Sequence, residues 1–193
     1  PTPSRPKLTI LTRMKKAKGI LRVPQNALGV NCSAISNIKT NGLGTFVVDN
    51  APGFMIYNVR YGDPGTRIQP PGKLDLAVPD REKALFQNLA VELGLEPDKP
   101  VQKVLPKIKK YFFTNFSYTL DLKSRGKTSP ITDFMTRTRT RHCEYFATAT
   151  VLLLRAAGIP ARYVSGYMAF EKSPMENKIV VRQKHAHAWT EVF

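Results

Sequence analysis

Two side chains have the types that build an acyl-transfer pair, Cys143 and His187. A thiol attacks as thiolate, a form favoured at a helix N-terminus or beside an imidazolium. Cys143 opens the run Cys-Glu-Tyr-Phe-Ala-Thr-Ala-Thr-Val-Leu-Leu-Leu-Arg-Ala-Ala over 143–157. That run is nearly apolar all round and predicts a buried helix, closed by Gly158 and forbidden to continue by Pro160. The first-turn N–H groups and the helix dipole then favour negative charge near the sulfur. Arg137, Arg139 and Arg141 precede the thiol and add positive potential. His187 lies far downstream in a strand-like segment, so only tertiary folding can join the two, the usual construction of a cysteine–histidine pair. Taken alone the pair is weak, since a core cysteine and a surface histidine give the same letters.

Other residues nearby have chemistry of their own. The backbone N–H of Cys143 is the natural first donor to an oxyanion, and the Tyr118 hydroxyl is a candidate second donor, although a purely structural tyrosine fits as well. Trp189 alternates with His187 on one strand face, where it either shields the site or simply packs. Glu144 sits in the first turn, where the helix dipole favours it. His185 and His187 share a strand face about 6.6 Å apart. With His142 and Cys143 they have the letters of a zinc set, but two adjacent residues at a helix start diverge in direction. No residue is assigned to a metal or a cofactor. Cys32 reads as a small buried hydrophobe.

The words around the pair make it specific. Arg141-His-Cys-Glu-Tyr-Phe-Ala147, Leu154-Arg-Ala-Ala-Gly-Ile-Pro-Ala-Arg-Tyr-Val164, Ser165-Gly166-Tyr167 and Ala186-His-Ala-Trp-Thr-Glu-Val192 resemble the bacterial transglutaminase-like family in order, spacing and flanking residues. The likeness covers 80–193 in organisation and 133–193 in detail. It implies an α+β, papain/transglutaminase-like core in which a nucleophile helix packs on an antiparallel sheet. It also implies thiol-dependent acyl transfer or amide hydrolysis on protein or peptide substrates, with Cys143 as nucleophile and His187 as base. A cysteine peptidase, or a non-catalytic binding relative of the same fold, is the alternative. The family's third residue is an Asp on the strand after the histidine strand, expected beyond Phe193, and a fragment without it should be poorly active. Glu191 is no substitute, because four residues along a strand span about 13 Å. Asp121 and Asp133 match no family position. By the same resemblance the parent protein is extracytoplasmic and membrane-anchored.

The elements that must position these residues follow from local punctuation. Residues 1–75 read as a β-rich module, with strands at Gly44–Val48 and Phe54–Val59, turns at Asn41-Gly42, Pro52-Gly53 and 63–65, and a boundary near Pro70-Pro71-Gly72. Residues 76–193 form the core. Asp80 is placed as the cap of a helix carrying Leu85, Leu89 and Leu93, closed by Gly94. Asp98 caps a second helix with Val101, Val104, Leu105, Ile108 and Phe112 on one face, interrupted or kinked at Pro106. A short extended stretch at Phe116–Leu120, a polar loop at 123–128 and a short helix from Ser129-Pro130 follow. Beyond the buried helix come strands at Ala161–Met168, Lys178–Arg182 and His185 to the end.

Charge narrows the partners. The chain carries 30 Lys+Arg against 14 Asp+Glu, a net charge of +16. Residues 1–60 hold nine basic side chains and one acidic. This balance suits a solvated basic face, or an anionic membrane or surface met through Arg13, Lys15, Lys16, Lys18 and Arg22. No nucleic-acid recognition motif accompanies it, so nucleic acid is disfavoured as a partner. The apolar runs fall far short of the ~20 residues of a membrane helix.

Overall fold

The computed structural model describes residues 7–63, 69–121 and 128–193. The turn expected at 63–65 and the loop at 123–128 lie largely outside the described residues. The chain divides into two compact units, 1–70 and 71–193.

The first unit is built from six strands: β1 Lys7–Arg13, β2 Gly19–Ile20, β3 Ala27–Asn31, β4 Ile38–Thr40, β5 Phe46–Val48 and β6 Phe54–Tyr61. They form two antiparallel three-stranded sheets, ordered β1-β6-β3 and β2-β5-β4. Strand β6 alternates as a half-buried strand must: Met55, Tyr57 and Val59 point inward while Phe54, Ile56 and Asn58 are exposed. Tyr57 is fully buried and donates its hydroxyl to the Arg22 carbonyl at 2.7 Å. Burial first of all pushes that phenol up to about 12. Cys32 is a buried free thiol whose sulfur lies 3.4 Å from the Ile56 carbonyl oxygen. The expected strands at Gly44–Val48 and Phe54–Val59 correspond to β5 and β6.

The second unit contains α1 Asp80–Glu92, α2 Val101–Asn115, β7 Ser117–Tyr118, α3 Pro130–Asp133, β8 Thr140–Arg141, α4 Cys143–Ala156, β9 Ala161–Tyr167, β10 Glu171–Lys172, β11 Ile179–Val180 and β12 Ala186–Val192. It is a mixed α+β fold in which α4 packs on the antiparallel pair β9–β12. Helix α4 is amphipathic only at its ends; Ala147, Ala149 and Val151–Leu154 are buried with Phe86, Ile108, Phe112 and Phe134. Truncating fully buried Leu153 to Ala would cost about 3 kcal/mol. Gly158 takes φ +76°, the left-handed conformation in which a helix commonly terminates. The Ile159 N–H then reaches the Leu154 carbonyl at 2.9 Å.

Two local expectations need correction. Asp80 and Asp98 do not cap their helices: Pro79 and Pro100 occupy the cap positions, and Asp80 is the first residue of α1. Helix α2 runs unbroken through Pro106, which is exposed, so the carbonyl it leaves without an N–H partner faces water. Residues 71–75 belong with the second unit. A 3₁₀ turn at Lys73–Leu76 is tied there by Asp75, whose carboxylate accepts two 2.8 Å hydrogen bonds from the Arg162 guanidinium on β9. Among the described residues, no helix is long and apolar enough to cross a membrane.

Candidate active site

Cys143 is the first residue of α4 and is partly exposed. Its approach is built by the segment before it. Ser129 caps α3, accepting from the Thr132 N–H at 3.2 Å, and a π-helical turn at Phe134–Thr138 follows. Arg139 ends that turn at φ +49°, its N–H bonded to the Phe134 carbonyl at 3.1 Å. β8 then pairs in parallel with β7, setting Tyr118 opposite Arg141, two residues before the thiol.

Beneath this approach lies a buried ion cluster. Asp133, 3 % exposed, accepts from Arg137 at 2.6 and 3.1 Å and from Arg141, 5 % exposed, at 3.4 Å. The Arg141 guanidinium also lies 5.5 Å from the Tyr145 ring centre. The three arginines expected to add positive potential before the thiol are thus held in fixed places. Arg137 and Arg141 share the one carboxylate of Asp133, which offsets one of their two charges, and Arg139 lies over the Phe116 ring at 5.9 Å.

His187 is on β12, opposite Gly166 of β9. β12 is fastened to α4 by Thr190, whose Oγ1 donates to the Ala147 carbonyl at 3.2 Å. Ala188 is buried, and Trp189 stands opposite Val164. A Cβ on Gly166 would lie 3.0 Å from Trp189 Cη2, so the indole uses the space that a glycine leaves.

Cys143 and His187 line one cavity of about 330 Å³, together with Tyr118, Phe146, Ala147, Thr150, Ala188, Trp189 and Thr190. Tyr118 is 59 % exposed, and its ring stacks on Phe146 with centroids 6.2 Å apart. Its hydroxyl interacts with both the side chain and the backbone of Cys143, and burial, then the negative charge of a Cys143 thiolate, raise the phenol. The Tyr118 hydroxyl thus lies beside Cys143, on a wall that also carries Thr150, Thr190 and His187.

The other sequence candidates fall elsewhere. His142 packs edge-on against Tyr145 at 5.2 Å, and His185 turns to Glu171 at 3.2 Å. Among the described residues, no group of three His, Cys, Asp or Glu could hold a metal. Glu191 stands opposite Arg162 in the β9–β12 register. Sequence reasoning did not single out Gly166, Thr190, Phe146 or the Asp133 cluster. Gly166 and Thr190 both sit inside the quoted motif words, which was the available signal.

A thiol heading a buried helix, beside an imidazole on a strand fastened to that helix, defines the class. The chain belongs to the transglutaminase-like superfamily, whose family model matches residues 87–193. A protein-glutamine gamma-glutamyltransferase of Pseudomonas aeruginosa is 36 % identical over 129 residues, 67 % of this chain and 18 % of that protein. The uncharacterized protein YebA of Bacillus subtilis is 32 % identical over 125 residues, 61 % of this chain and 17 % of that protein. Among solved structures, the periplasmic domain of TgpA from Pseudomonas aeruginosa, bound to ethylmercury, matches with a TM-score of 0.75 at 26 % identity, over 97 % of this chain and 68 % of that one. The chain thus spans under a fifth of the length of the two curated relatives.

Proposed function

We propose that the second unit is a thiol acyltransferase acting on glutamine side chains of protein or peptide substrates. The observation that carries this reading is the shared cavity of Cys143, His187 and Tyr118. Cys143 Sγ attacks the carboxamide carbon, and the oxyanion takes hydrogen bonds from the Cys143 N–H and the Tyr118 hydroxyl. His187 gives a proton to the departing nitrogen, so ammonia leaves and a thioester remains. A primary amine then attacks the thioester and loses a proton to His187, giving an isopeptide bond and the free thiol. Water attacking in its place gives glutamate. The 36 % identity to a protein-glutamine gamma-glutamyltransferase supports the glutamine reading over peptide hydrolysis.

The test is to offer the parent protein, with the strand expected after Phe193, a peptide containing internal glutamine and measure both ammonia and new peptide termini. Ammonia with an intact backbone is the expected result. Backbone cleavage without ammonia would make the site a peptidase. Likeness to a periplasmic domain supports an extracytoplasmic location, and we assign the parent protein a membrane anchor on family resemblance. The basic residues Arg13, Lys15, Lys16, Lys18 and Arg22 suit an anionic surface there. Salt-sensitive binding to anionic vesicles checks that assignment.

A further inference from the structure

The 3₁₀ turn Gln183–His185 leads directly into β12, so its geometry sets where β12 begins. His185 is only 5 % exposed, yet it is no part of the cavity that holds Cys143 and His187. Both of its ring nitrogens are engaged. Nδ1 accepts from the Arg182 backbone N–H at 3.2 Å, and Nε2 lies 3.2 Å from Glu171 Oε2. An accepting Nδ1 puts the ring proton on Nε2, facing the carboxylate. Glu171 is itself clamped by the Arg182 side chain, with Nε at 2.8 and 3.0 Å from its two oxygens and Nη2 at 2.6 Å. The Phe170 ring covers the imidazole at 4.7 Å between centroids.

This closed set joins three segments. Glu171 lies on β10, which pairs with β11. Arg182 immediately precedes the turn that carries His185. The His185 carbonyl accepts from the Met168 N–H at 2.9 Å, which starts the ladder that continues as Ala186 opposite Tyr167 and His187 opposite Gly166. A buried polar group with both partners satisfied fixes one arrangement, because any other leaves a nitrogen or a carboxylate unpaired. Two residues on, the same strand carries the imidazole of His187. A one-residue slip of β12 would turn that imidazole to the opposite face.

We propose that His185 is the positioning residue for His187, holding the start of β12 in register through Glu171 and Arg182. The proposal rests on His187 being the base of the reaction above. His185 touches neither substrate nor thiol in this role; it acts through the backbone that carries His187. Its loss should therefore lower turnover and leave substrate binding alone.

The experiment compares wild type, His185→Ala, His185→Gln, Glu171→Gln and His187→Ala. Each is assayed for ammonia release from a glutamine peptide, for iodoacetamide alkylation of Cys143 at neutral pH, and for thermal unfolding. In His185→Ala, kcat should fall about tenfold to a hundredfold, the scale of a small misplacement of a reacting group, with KM nearly unchanged. Cys143 alkylation should slow in parallel. His185→Gln keeps a donor toward Glu171 and should recover part of kcat. Glu171→Gln, on a partly exposed side chain that folding tolerates, should show a smaller loss in the same direction, so the test stands even if His185→Ala unfolds. Lower melting temperatures with kcat and alkylation at wild-type values would overturn the proposal. If His187→Ala releases ammonia at the wild-type rate, the base assignment itself fails, and the proposal with it.

Discussion

Thr190 Oγ1 donates to the Ala147 carbonyl at 3.2 Å, joining the strand that carries His187 to the helix that Cys143 begins. Ala147 is one turn along from the thiol and Thr190 three residues from the imidazole. This bond therefore ties together the two segments that carry the thiol and the imidazole. Thr190→Val keeps the shape and removes the donor, while the Ala147 carbonyl stays within its helix. A loss of about 1 kcal/mol in urea unfolding is expected. A fall in kcat for ammonia release with little change in KM should accompany it.

Gly166 is a second point where one atom matters. An added Cβ would meet Trp189 at 3.0 and 3.4 Å, so Gly166→Ala must push the indole away from its present seat. The chain has one tryptophan, so its fluorescence reports that displacement without ambiguity. A shifted emission maximum together with reduced ammonia release is the expected outcome. An unchanged spectrum would show that the ring does not rest on Gly166.

Tyr118→Phe removes one hydroxyl and keeps the ring that stacks on Phe146. If the hydroxyl donates to the oxyanion, kcat falls about a hundredfold, the scale of losing one such donor, and KM moves little. A merely packing tyrosine would leave steady-state kinetics near wild type.

Legibility in the sequence followed the range of the interactions involved. Helix α4 could be read from an apolar run bounded by Gly158 and Pro160, and its starting residue Cys143 from the words around it. Strand β1 was hidden because Lys7, Thr9, Thr12 and Arg13 mask its alternation, and β3 because Gly29 breaks its run. The cluster of Asp133 with Arg137 and Arg141 could not be read from the sequence. One of its pairs spans a π-helical turn, a left-handed Arg139 and a strand, none of which has a local signature. Tyr118 reaches Cys143 through the parallel pairing of two-residue strands, which periodicity does not reveal.

The pair of Asp75 and Arg162 predicts a response to pH. The Arg162 guanidinium beside Asp75, with the Gly72 N–H in support, holds the Asp75 carboxyl below the usual carboxylate range. Such a group stabilises the fold above its unfolded value of about 3.9, and the contribution is lost as pH falls through the lower folded value. Asp75→Asn should cost about 2 kcal/mol at pH 7, since the Arg162 guanidinium loses its paired carboxylate hydrogen bonds. The gap between wild type and variant in urea unfolding should narrow below pH of about 4. An equal gap at pH 7 and pH 3 would contradict the ion-pair account.

The most direct test of the central claim is to trap the acyl-enzyme. Mixed with a glutamine peptide and quenched in acid, the protein should gain the mass of the peptide less ammonia, with the adduct on Cys143. Cys143→Ala should abolish both adduct and ammonia. His187→Ala should slow adduct formation by about a thousandfold, within the range of general acid–base catalysis. Ammonia release persisting in Cys143→Ala, or an adduct mapping to Cys32, would contradict the account.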